Sequence, residues 1–214
     1  LKYLYSVVAE SQLDVELKEF TINNEKDYVY GEIMRGGYDL VCVSCYIWNI
    51  EQIKELCTDL KKADPHMKFM LGGPEVSYDS TNFMKENPWV DYIIRGEGEY
   101  PFFQFCKCLA VGNTDPSLVS NLTYRLKGNI VENPIATLPV MDKLPFPYNF
   151  LEVEQDKVIY YESSRGCPFR CSYCLSSLEV TVRRLPLERV RRDIGYLLYK
   201  DVKQVKFVDR TFNY

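Results

Sequence analysis

Histidine is nearly absent from this chain of 214 residues: there is one, His66. Centres built from several histidines are therefore excluded, and a cysteine cluster away from residue 66 has no imidazole close to it in sequence. Long apolar runs are also missing. None approaches the ~20 residues that span a bilayer, and no secretory signal is visible, so no membrane partner is expected. No internal repeat or low-complexity tract occurs. The eight cysteines lack the spacing of a secreted disulfide framework, which points to a reducing cytoplasm. What remains, 46% hydrophobic and 26% charged, is the composition of a globular protein long enough for one large or two small domains.

Charge is unevenly divided. Residues 1–154 carry 14 basic and 23 acidic side chains, a net of −9, whereas residues 155–214 carry 12 and 7, a net of +5. The break predicts a boundary near 150. Arg183, Arg184, Arg189, Arg191 and Arg192 form a basic cluster. No aromatic platform interleaves with it and the whole chain is acidic, so it reads as a solvated helix face and argues against nucleic acid.

Hydrophobic periodicity predicts a helix over 1–9, a strand over 15–22 and a helix over 26–34. A buried strand follows over 39–45, then a helix capped by Asn49 and running to about 63. Strands are expected at 68–71 and 91–94, each followed by a helix. The alternation implies a Rossmann-like, doubly wound parallel sheet over 1–115, with a leading strand expected before Leu1. Residues 121–125 and 129–132 flank a hairpin turn. Pro134, Pro139, Pro145 and Pro147 make an extended linker, so that 116–154 reads as hairpin plus linker. A strand over 157–162, a helix over 187–199 and a strand over 204–208 open a second α/β domain, 155–214. A (β/α)₈ barrel takes ~250 residues, so this one is only begun.

Three loops at the C-terminal edge of the first sheet carry unusual residues: Ser44-Cys45-Tyr46-Ile47-Trp48-Asn49, Gly72-Gly73-Pro74-Glu75-Val76-Ser77 and Gly96-Glu97-Gly98-Glu99. Open α/β sheets bind ligands at that edge, and helix N-termini there favour a phosphate. Taken singly, glycine pairs after strands are ordinary turns. Cys42, Cys45, Cys57, Cys106 and Cys108 read as core or half-buried thiols, Cys45 being the one placed at a strand end.

The strand over 157–162 runs into Ser163-Ser164-Arg165-Gly166-Cys167-Pro168-Phe169-Arg170-Cys171-Ser172-Tyr173-Cys174. Three thiolates on one short loop suit three corners of an iron–sulfur cube, where four is the usual number, and a structural zinc site would need a fourth ligand. Arg165 and Arg170 flank the thiolates and are expected to favour their ionised form. The Cys-x-x-x-Cys-x-x-Cys spacing resembles the signature of radical S-adenosylmethionine (SAM) enzymes. Together with the first-domain loops and the order of parts, nearly the whole chain looks like the cobalamin-binding class of that family, the magnesium-protoporphyrin IX monomethyl ester cyclase-like type. The resemblance implies a [4Fe–4S] cluster on Cys167, Cys171 and Cys174, with SAM on the fourth iron. It implies adenine beside Tyr173 and the SAM amino group near Asp209, which opens Asp209-Arg210-Thr211-Phe212-Asn213.

The same resemblance places cobalamin against Ser44, Tyr46, Gly72, Gly73, Pro74, Glu75, Gly96, Glu97, Gly98 and Glu99. It further implies an external electron donor, a 5′-deoxyadenosyl radical, and methyl transfer or oxidative ring closure on an unactivated carbon of a small-molecule substrate. The chain departs from the Asp-x-His-x-x-Gly pattern of many cobalamin domains. Asp64-Pro65-His66 begins it, but Phe69 stands where glycine is needed, and His66 precedes a strand, so it falls at the wrong edge. The alternatives are a docking module whose first domain binds no cobalamin, and a radical SAM enzyme that does without it; action on tRNA is disfavoured by the acidic first domain. These residues alone are expected to be inactive.

Overall fold

The computed structural model describes all residues except 12, 113–114, 137, 139, 179–180 and 213–214; Pro139 and Asn213, named above, therefore lie outside the described residues. The chain forms two compact units, Tyr3–Leu138 and Pro139–Tyr214.

The first unit runs α1 (Lys2–Val8), α2 (Lys26–Gly36), β1 (Leu40–Ser44), α3 (Ile50–Ala63), β2 (Lys68–Gly72), α4 (Pro74–Ser77), α5 (Ser80–Glu86), β3 (Tyr92–Ile94), α6 (Glu99–Ala110), β4 (Leu122–Leu126) and β5 (Asn129–Glu132). Its sheet has the order β1-β2-β3-β4-β5. β1, β2 and β3 are parallel, with Leu40 opposite Lys68 and Met70 opposite Tyr92; β4 and β5 are antiparallel additions. Side chains alternate along a strand, and the packing follows. Phe69, Leu71 and Ile93 face one core with Ile53, Cys57 and Leu60 of α3 and Met84 of α5. Met70 and Ile94 face the other with Val8 of α1 and Phe102 and Phe105 of α6. The parallel sheet is thus covered on both faces, as the β/α alternation predicts. Each fully buried aliphatic or aromatic chain of this kind stabilises by ~1.5–3 kcal/mol.

Three local expectations change. Residues 15–21 form no strand. Val15 packs into the second core and Lys18 bonds Glu32 at 3.2 Å, but no ladder partner is available among the described residues. The hairpin is not set apart with the linker: Tyr92 pairs with Tyr124, making it the edge of the first sheet. Its turn places Lys127 at φ 50° and Gly128 at φ 83°, the two positive φ values that match the twist of a two-residue hairpin. The proline-rich stretch is not extended throughout. It forms two 3₁₀ turns, Met141–Lys143 and Pro147–Asn149, because Met141, Phe146 and Tyr148, set among and just after the prolines, bury into the second unit's core.

In the second unit, β6 (Ile159–Tyr161) and β9 (Val205–Phe207) pair in parallel, joined through α7 (Leu187–Tyr199). Ile159, Tyr161, Val205 and Phe207 pack with Leu197 and Ile194 of α7. Between them β7 (Ser164–Arg165) pairs antiparallel with β8 (Arg183–Arg184). Arg189 departs from the expected solvated face. It is 7% exposed and donates to the carbonyls of Asp142 (2.6 Å) and Leu144 (2.6 Å) and to Asp193 (3.3 Å). A helical repeat cannot distinguish such an arginine from Arg191 and Arg192, which are largely exposed. Among the described residues no helix is long and apolar enough to cross a membrane.

Candidate cofactor sites

The three loops at the C-terminal edge of β1–β3 are brought together. Cys45 N–H donates to Gly72 O at 2.7 Å, and Gly73 sits directly against the Cys45 backbone with φ 102°; a Cβ there would lie 2.4 Å from Cys45 O. Ser77 joins the second loop to the third: its Oγ donates to Gly73 O at 2.8 Å and accepts from Gly96 N–H at 3.2 Å. Pro74 and Glu75 begin α4 rather than lying in an open loop. Glu75 is exposed, Glu97 half-buried, and Glu99 is buried in the first turn of α6. Gly98 precedes that turn, and a Cβ on it would meet Leu4 Cδ2 at 3.2 Å.

Asn49 does not cap α3 as expected, since its side chain makes no bond to the first turn. It turns back into the loop, accepting from Tyr46 N–H at 2.7 Å and donating to Ser44 O at 3.0 Å. This folds Tyr46 and Trp48 into a stacked pair, centroids 4.6 Å apart and planes 5° apart, with Trp48 61% exposed. Loss of both bonds in Asn49→Ala is expected to destabilise the chain by ~1–3 kcal/mol. A lower urea midpoint at unchanged slope would register it.

Ser77 closes the second loop as read from the sequence, whereas Asn121 was not visible there as a site residue. Asn121 occupies φ 60°, and its backbone and side chain both bond Arg95, next to Gly96. An asparagine ahead of a strand, one of the few residues that tolerates a left-handed backbone, was the available signal.

Cys45 is fully buried and its thiol is pushed up to about 12 by burial. Cys57 and Cys106 are buried too, whereas Cys42, on the edge strand β1, is exposed. His66 is an exposed turn residue whose N–H is held by Asp64 Oδ1 at 2.9 Å, ahead of β2 and away from the ligand edge.

The cysteine loop has different chemistry. Cys167, Cys171 and Cys174 are free thiols, partly or fully exposed. Cys174 is held below the usual thiol range, first by the backbone N–H of Ser176, then by its side chain, with a smaller contribution from the charge of Arg210. The expected cation Arg165 instead donates to Glu162 at 2.8 Å, and Arg170 is exposed. Tyr173 is 91% exposed. Asp209 accepts from the N–H groups of Ser163 (2.7 Å) and Ser164 (3.0 Å) and from the Ser163 hydroxyl, so its carboxylate grips the start of the cysteine loop.

Among the described residues, no three Cys, His, Asp or Glu side chains converge as a ready metal cage. The donor set nevertheless fits an iron–sulfur cluster: three reduced thiols lie within eight residues, one of them acidified, with no imidazole nearby. Residues 169–173 are all exposed, so no core packing opposes gathering the sulfurs.

Residues 1–105 match the family described as B12 binding domain. Over 188 residues the chain is 29% identical to the cobalamin-dependent radical SAM methyltransferase TokK of Streptomyces tokunonensis, covering 81% of this chain and 28% of that protein. It is 26% identical over 186 residues to the anaerobic magnesium-protoporphyrin IX monomethyl ester cyclase of Rubrivivax gelatinosus, covering 69% and 33%. The structure of the cobalamin-dependent S-adenosylmethionine radical enzyme OxsB, with aqua-cobalamin and S-adenosylmethionine bound, superimposes with a TM-score of 0.76 at 19% identity, over 99% of this chain and 31% of that one. The chain is thus similar, over most of its length, to cobalamin-dependent radical SAM proteins. Its first unit is of the B12-binding type, and it spans about a third or less of the length of these relatives.

Proposed function

We propose that this chain is the N-terminal part of a cobalamin-dependent radical SAM enzyme acting on an unactivated carbon of a small molecule, by methyl transfer or oxidative ring closure. The observation that carries the reading is the joining, in one chain, of a B12-binding-type sheet to an open three-cysteine loop that follows β6 and β7.

Cys167, Cys171 and Cys174 would hold three irons of a [4Fe–4S] cluster, leaving the fourth for SAM. Tyr173 would offer its ring to the adenine. Ser44, Tyr46, Gly72, Gly73, Pro74, Gly96, Gly98 and Glu99 would shape the cobalamin edge. Glu75 and Glu97 would accept hydrogen bonds from the amides that ring a corrin. When bound, the cluster with SAM supplies a hydrogen-abstracting alkyl radical, and cobalamin supplies a methyl group or an electron-transfer partner. Both require an external electron donor. Asp209 has two parts in this reading: its oxygens accept from Ser163 and Ser164 and so hold the cysteine loop, and the acceptor capacity left on its carboxylate would serve the SAM amino group. The 214 residues alone are expected to be inactive.

The test is anaerobic reconstitution of the full-length protein with iron and sulfide, alone and as Cys167→Ala, Cys171→Ala and Cys174→Ala. The wild type is expected to show cluster charge-transfer absorption and to release 5′-deoxyadenosine from SAM under reduction. Each variant is expected to lose both. Unchanged SAM cleavage in any one of them would remove that cysteine from the ligand set.

A further inference from the structure

The loop after β9 touches the cysteine loop at two points. Asp209 receives the two backbone N–H groups and the hydroxyl described above. Two residues on, Thr211 Oγ1 lies 3.2 Å from Cys167 Sγ. Asp209 thereby sets the register between the loops, and Thr211 is delivered to the first cysteine of the motif.

We propose that Thr211 is a positioning and tuning residue for the cluster, its hydroxyl donating a hydrogen bond to the Cys167 sulfur. The inference rests on the cluster reading above. In the free chain either atom is able to donate. A thiol that coordinates a metal is deprotonated, so with iron bound the hydroxyl becomes the donor and the sulfur the acceptor. Hydrogen bonds to cluster sulfurs are one of the levers that set reduction potential. The reduced cluster carries one more negative charge than the oxidised one. A donor aimed at its sulfur therefore stabilises the reduced form more and moves the potential positive. That direction helps a weak external donor load the electron that SAM cleavage consumes.

The experiment uses the full-length protein, reconstituted anaerobically as wild type, Thr211→Val and Thr211→Ser, with dithionite titration followed by electron paramagnetic resonance. Valine keeps the shape and removes the donor; serine keeps the donor and removes the methyl group. The expected result is equal iron content in all three, a midpoint potential shifted negative in Thr211→Val, and one close to wild type in Thr211→Ser. Loss of iron in Thr211→Val with retention in Thr211→Ser would equally assign the role to the hydroxyl. An unchanged potential in Thr211→Val, or equal shifts in both variants, would overturn the inference. A wild type that takes up no cluster would instead overturn the reading on which it rests.

Discussion

Gly73→Ala is expected to cost the first unit more than ~4 kcal/mol and to abolish its affinity for cobalamin. The added Cβ would lie 2.4 Å from Cys45 O and 3.0 Å from Cys45 N. Both are backbone atoms at the end of β1, and Cys45 N–H is itself bonded to Gly72 O. No flexible side chain is available to move aside, so the strain separates the first loop from the second. The backbone at φ 102° adds a further penalty for any residue with a Cβ. Gly112→Ala is the matched control. It also has positive φ, 69°, but nothing lies within 4 Å of its Cβ, so it should cost only ~1–2 kcal/mol and leave cobalamin binding intact. Urea denaturation and equilibrium dialysis with hydroxocobalamin measure the two effects. Equal losses in the two variants would show that the contact between Gly73 and Cys45 contributes nothing.

Arg189→Met is expected to destabilise the second unit by ~3–5 kcal/mol, the cost of breaking a buried ion pair from one side. Asp193 is 2% exposed. It would keep Tyr161 at 3.1 Å and lose the buried guanidinium at 3.3 Å, and Arg192, at 3.6 Å, is itself largely exposed. The carbonyls of Asp142 and Leu144 would lose donors at the same time. Because the charge left behind is the main cost, Arg189→Met/Asp193→Leu should recover most of the loss. The urea midpoint of the single and double variants separates these outcomes. A double variant no more stable than the single would place the cost in the carbonyls instead.

What the sequence disclosed, and what it concealed, follows from range. The β/α alternation was legible because apolar periodicity is local: the strands at 40–44, 68–72 and 92–94 and the helices after them lie where the pattern puts them. The cysteine triplet stands out in the sequence because its signal is a local spacing. Long-range partners were not. Nothing local distinguishes Arg189 from Arg192; the difference is made by carbonyls some 45 residues upstream. The bonds from Ser163 and Ser164 to Asp209 likewise join segments some 45 residues apart. Asn49 carries the composition of a helix cap, yet the sharper bend at Ser44–Tyr46 claims its amide. Residues 15–22 have a strand's alternation, but a strand exists only as a paired one.

The proposed enzyme needs one polypeptide to carry both a corrin-binding sheet and a cluster left open at one iron. Metal and cofactor analysis of the full-length protein, purified without oxygen and equilibrated with iron, sulfide, zinc and hydroxocobalamin together, tests it most directly. About four irons and about one cobalamin are expected per chain, with the iron lost and the cobalamin kept in Cys171→Ala. Zinc taken up in place of iron, or a chain that holds its cluster and leaves the cobalamin in solution, would contradict it.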